Sequence, residues 1–134
     1  MTAVVPPRLD VVVIGVRDLA ATREFYEALG WRSRPRDGLF ARFELAGASL
    51  VLFPLDQLED AVGVPAQKTG MFSGTAPAIV LGTSEELDAA VAEVRSAGGT
   101  VLAEPTDRPW GTRTAYIADP EGTVWELAIV LPRG

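Results

Sequence analysis

The sequence contains no histidine, which removes the commonest general base and the commonest metal ligand together. Any chemistry the chain performs has to run without either. Cysteine is absent as well, so there is no disulfide framework and nothing argues for an oxidising compartment. The cytoplasm is the expected location. Long apolar runs are missing too: Val11 to Val16 is the main one near the start, far short of the roughly 20 residues that cross a bilayer. Neither a secretory leader nor a membrane span is expected. Positive charge is scarce, with 12 Lys and Arg against 18 Asp and Glu and a formal net charge of -6. That balance disfavours a nucleic-acid partner and would attract cationic ligands.

What is present fits one globular domain: 134 residues, 48% hydrophobic and 22% charged, enough to bury a core. Pro6-Pro7 opposes regular structure, so Met1 to Pro7 reads as an arm. Leu9 to Val16 reads as a strand. Asp18 stands where an N-cap would, and Leu19, Phe25, Tyr26 and Leu29 form an apolar stripe closed by Gly30, predicting a helix over Leu19 to Leu29. Trp31 to Arg34, Leu39 to Leu45 and Ala48 to Phe53 read as strands, the last two joined by a tight turn at Ala46-Gly47. A two-residue turn there pairs Glu44 with Ser49 and Arg42 with Val51, and puts Phe43, Leu45, Leu50 and Leu52 under the helix.

Periodicity then breaks from Pro54 to Pro77, a linker with about one helical turn around Leu55 to Ala61. Ala78 to Leu81 resumes as a strand. Ser84 is the expected cap of a helix whose Leu87, Val91 and Val94 share a face before Gly98-Gly99. Thr100 to Ala103 is another strand, and Thr114 to Ala118 and Thr123 to Val130 form a hairpin around Asp119-Pro120-Glu121-Gly122. The order of elements repeats. Gly47 to Val51 and Gly122 to Glu126 share one offset from a turn glycine, which makes Val51 and Glu126 equivalent.

Val16-Arg17-Asp18-Leu19 with Phe25-Tyr26 and Leu29-Gly30, then Asp119-Pro120-Glu121-Gly122 with Trp125-Glu126-Leu127, resemble the vicinal oxygen chelate superfamily. That group includes glyoxalase I, extradiol dioxygenases and bleomycin-binding resistance proteins. The resemblance runs from about Leu9 to Val130 and implies an α+β fold, two βαβββ modules forming an open barrel with a central cleft. Module one would cover about 9–54, the linker 55–76 and module two about 77–130. The family's four metal positions fall on Val11, Val51, Ala78 and Glu126. Only Glu126 carries a donor, so no metal and no cofactor are expected. The resemblance also implies a homodimer.

Strand parity lines the cleft with Val11, Val13, Arg42, Ser49, Val51, Phe53, Ala78, Val80, Tyr116 and Glu126, and Trp110 sits on the loop ahead of Tyr116. Apolar walls with a few convergent polar groups describe a small-molecule pocket. Glu126 is the conspicuous member, a carboxylate in an otherwise apolar strand that needs a partner. Arg42 is the expected one, reaching across the site a metal would fill. Two functions compete. One is metal-free binding of a hydrophobic or cationic small molecule; the other is a metal-independent isomerase or lyase with Glu126 as base and Tyr116 as acid. A module serving dimerisation alone would need no cleft ligand.

Overall fold

The computed structural model describes residues 4–34, 38–68 and 70–133. The chain order is β1 (Val11–Val16), α1 (Leu19–Ala28), β2 (Ala41–Glu44), β3 (Ser49–Pro54), α2 (Leu55–Val62), β4 (Ala78–Leu81), α3 (Ser84–Ser96), β5 (Thr100–Asp107), β6 (Thr112–Ala118) and β7 (Val124–Val130). They form two open sheets, β1-β3-β2 and β4-β7-β6-β5. In each sheet the first strand runs parallel to the last strand of its own half, and the rest are antiparallel. The arm expected over Met1 to Pro7 lies partly outside the described residues; from Val4 on it carries neither helix nor strand.

Local chemistry explains the helices. Asp18 caps α1 by accepting from the Ala21 N–H, which satisfies one donor of the open first turn. α3 is capped by Thr83, not by the expected Ser84: the Thr83 hydroxyl accepts from the Glu86 N–H while Ser84 is already helical. Both helices lay an apolar stripe on the sheets, so Phe25, Tyr26, Leu87, Val91 and Val94 join Phe43, Leu50, Leu52, Ile117, Trp125 and Leu127 in one core spanning both halves. The hairpin register is the expected one, with Arg42 opposite Val51 and Glu44 opposite Ser49.

Three elements differ from expectation. Trp31 to Arg34 does not form a strand. Trp31 donates its N–H back to the Tyr26 carbonyl and stacks on that ring at 5.2 Å, so the helix exit consumes it and only a bridge from Ser33 to Phe43 remains. The linker holds a two-turn helix, α2, in place of a single turn; β1 accommodates it at Gly15, where a Cβ would lie 2.6 Å from Leu55 Cδ1. β5 runs on to Asp107 through register shifts on either side of Ala103, and Pro105 is tolerated because β5 is an edge strand.

The turn and helix motifs prove to join the two halves. Glu121 accepts from the backbone N–H groups of Arg17 and Asp18, each at 2.9 Å. Asp119 accepts from the Tyr26 hydroxyl at 2.6 Å, and that oxygen in turn accepts from the Trp125 indole at 2.9 Å. No described helix is long and apolar enough to cross a membrane.

Candidate functional site

Pairing register assigns the faces turned away from α1 and α3; in the first sheet α2 packs on that face at Gly15. In the first sheet Val11, Val13 and Gly15 stand opposite Ser49, Val51 and Phe53, with Arg42 and Glu44 beyond them. In the second, Ala78 and Val80 stand opposite Glu126 and Ala128, and Tyr116 and Thr114 face those two from the other side. Directly paired side chains share a face. Register puts the residues named for the cleft on one face of each sheet, while Trp110 stands in the turn between β5 and β6.

The polar centre of the second sheet is Tyr116, which donates its hydroxyl to Glu126 Oε1 at 2.6 Å. That bond holds the phenol proton and raises the Tyr116 pKa above its usual value, with desolvation a further cause. Arg108, which the sequence reading did not single out, lies over the same ring at 5.7 Å and donates through Nε to Thr114 Oγ1 at 2.7 Å. Its only sequence signal is its place beside Pro109-Trp110 in the turn. Val80 on this face is 66% exposed, and toward the open end of the β6–β7 hairpin Val130 is 71% and Trp110 67% exposed.

Arg42 does not reach Glu126. It stays in its own sheet, with Nε on Glu44 Oε1 at 3.0 Å and Nη2 on Ser49 Oγ at 3.1 Å. The Ser49 hydroxyl donates to Glu44 Oε2 at 2.7 Å, and this bond, then Arg42, holds the Glu44 carboxyl below its usual range. The expectation failed because Glu44 shares Arg42's face two residues along the strand, and a local carboxylate wins over one in the other half. Phe53 is likewise engaged locally, its ring stacked on Phe40 at 6.3 Å. Among the described residues no hydrogen bond or ion pair joins the Arg42 group to the Tyr116 group.

The fold family implies a metal, and the donor set does not fit one. The register keeps Val51 equivalent to Glu126 but moves the first-strand position of module one. Val51 pairs Val13, and Glu126 pairs Ala78; Val13 and Ala78 stand equally far ahead of the helix caps Asp18 and Thr83. Val13, not Val11, is thus the counterpart of Ala78. Neither valine has a donor atom, nor do Val51 and Ala78, and the one carboxylate left accepts from Tyr116. Among the described residues no three His, Cys, Asp or Glu side chains group as a metal site would need.

A separate cavity of about 350 Å³ lies between β1, the linker and the β6–β7 turn. Of the predicted site residues it takes only Val13. Ser73 and Gly70 line it, so the linker forms a wall as well as a connection.

Two open sheets backed by two helices, in halves that repeat one another, define a glyoxalase-like α+β fold of two βαβββ modules without a closed barrel, the second strand of module one being reduced to the Ser33 bridge. The model of the Glyoxalase/Bleomycin resistance protein/Dioxygenase superfamily matches residues 8–127, and the chain belongs to that superfamily. A glyoxalase-related enzyme from Fulvimarina pelagi is similar at 28% identity, with TM-score 0.81 over 92% of this chain and 88% of that one. A glyoxalase/bleomycin resistance protein/dioxygenase from Nocardioides is 30% identical, with TM-score 0.76 over 98% and 89%. A hypothetical protein from S. aureus, at 21% identity and TM-score 0.80 over 93% and 94%, shares the fold. Comparison with curated proteins finds no match.

Proposed function

We propose that the chain is a metal-free small-molecule-binding protein that holds a hydrophobic or cationic ligand on the open face of its second sheet and works as a homodimer in the cytoplasm. One observation carries the reading: the hydrogen-bonded Tyr116–Glu126 pair stands on a sheet face that leaves Val80 exposed, with Val130 and Trp110 exposed toward the open end of the same hairpin. Exposed apolar side chains gathered around a few fixed polar groups are what a ligand would cover. Trp110 supplies an aromatic face, and Glu126 keeps Oε2 for a cationic or donor group. The test is titration of a panel of aromatic amines and neutral aromatics, followed by tryptophan fluorescence and native mass spectrometry. Saturable one-to-one binding, weakened about tenfold or more by Val80→Asp and by Trp110→Ala, is expected. Binding unchanged in both variants would sink the reading.

The second reading is a metal-independent isomerase or lyase, and it rests on the same 2.6 Å bond. A phenol that already holds its proton against a carboxylate is an acid and base in contact, with Glu126 placed to take a substrate proton and Tyr116 to return one. Turnover abolished by Glu126→Gln with binding retained would select it over simple binding.

A further inference from the structure

The cavity beside β1 has a chemistry of its own. Val12, Ile14, Leu55 and Met71 give it apolar walls, and its volume of about 350 Å³ falls within the ~300–1,000 Å³ of small-molecule pockets. β1 is an edge strand. Because the Asp10 carbonyl accepts from Ser49, the parallel ladder turns the even-numbered peptide groups toward β3. Those of Val13 and Gly15 are left facing away from it. Main-chain donors and acceptors are thus presented along one wall.

Its charge runs against that of the chain. Arg17, Lys68 and Glu121 are the ionisable residues among its described lining, two cations to one anion in a protein of net charge -6. Glu121 is already engaged, one oxygen with each backbone N–H at the start of α1, and Arg17 Nη1 stands 3.7 Å from it. Lys68 has no carboxylate partner among the described residues. Ser73 adds a hydroxyl to the same wall.

We propose that this cavity binds a small organic anion with an apolar body, a monocarboxylate whose tail lies against Val12, Ile14, Leu55 and Met71 and whose head meets Lys68 and Arg17. The site is distinct from the Tyr116–Glu126 face and stands or falls independently of it. The pairing is charge-assisted, so the head group should matter as much as the tail.

The probe is 4-phenylbutyrate, with 4-phenyl-1-butanol as its uncharged counterpart, titrated into the full chain by calorimetry and by amide chemical-shift mapping. Saturable binding of the acid is expected, with the alcohol weaker by about tenfold or more. Lys68→Glu, a surface change, should weaken the acid by a similar factor, and Ser73→Trp should block both compounds by filling the cavity. Glu24→Gln, an exposed change on α1 away from the cavity, should leave the affinity unchanged. Equal binding of acid and alcohol, indifference to Lys68→Glu or Ser73→Trp, shifts centred on Tyr116 and Glu126, or no saturation within the solubility of the acid would each overturn the proposal.

Discussion

Asp119 is 3% exposed, and its oxygens accept from the Tyr26 hydroxyl and from the Glu121 and Thr123 backbone N–H groups. Burial nevertheless pushes its pKa above the usual aspartate value, against the pull of those donors. The neutral form is thereby favoured in the folded chain. Its contribution to stability is complete below the ordinary value of about 3.9 and is lost as pH rises through the raised folded value. Glu44 acts with the opposite sign: its lowered pKa gives a contribution present above the ordinary glutamate value and lost as pH falls through the folded one. The stability of the wild type relative to Asp119→Asn, from urea midpoints, should therefore shrink as pH rises from about 4 toward neutrality. A gap that widens would place the Asp119 pKa on the other side of its ordinary value. Tyr26→Phe strands both the Asp119 oxygen and the Trp125 indole, and should cost about 1–3 kcal/mol. At the open face, Glu126→Gln should bring the raised Tyr116 ionisation back down. Tyr26 is held still higher, mainly by burial and then by the Asp119 charge, so absorbance titration of this two-tyrosine chain reads Tyr116 alone. With Arg42 bound to Glu44 and Ser49, the changes Arg42→Met and Glu126→Leu should add to within about 0.5 kcal/mol.

At the level of elements, what was legible is what local chemistry decides alone. The stripe of Phe25 and Tyr26 behind the Asp18 cap, the turn at Gly47 and the hairpin at Gly122 each carry their conformation in a few neighbouring residues. Where two elements compete for one segment the signal fails. Trp31 has a strand-forming side chain, but its N–H and its ring both belong to the end of α1. The apolar residues of α2 were equally visible, yet its length depends on Gly15 letting Leu55 approach β1, a contact between distant segments. Gly99 shows the same dependence and can be tested. A Cβ there would lie 2.7 Å from both Phe25 Cε1 and Val94 Cγ1, and 3.0 Å from the Ala118 carbonyl oxygen. Side chains can yield, but the carbonyl is fixed in β6. Gly99→Ala should destabilise by about 1–3 kcal/mol through overpacking, read as a lower denaturation midpoint. An unchanged midpoint would mean that α1 and α3 can move apart at no cost.

At the level of the whole molecule, the two halves and their inner faces were legible because a period of two, once anchored at a turn, sorts every side chain in a strand. Their relation across the molecule was not. Equivalence by repeat placed Val51 and Glu126 in matching roles, and from there Arg42 was carried across to Glu126, but matching roles do not make neighbours. The separate Arg42 and Tyr116 groups leave the second sheet facing outward, with apolar Val80, Val130 and Trp110 on or beside that face. Both sheets end in edge strands, and neither curls into a closed barrel. Open edges favour association, and a two-fold pair lets each copy meet the same edge on the other. Light scattering at micromolar concentration should therefore give twice the chain mass of 14.2 kDa. A constant mass of 14.2 kDa across the micromolar range would mean that the open face of the second sheet is presented to ligand by a single chain.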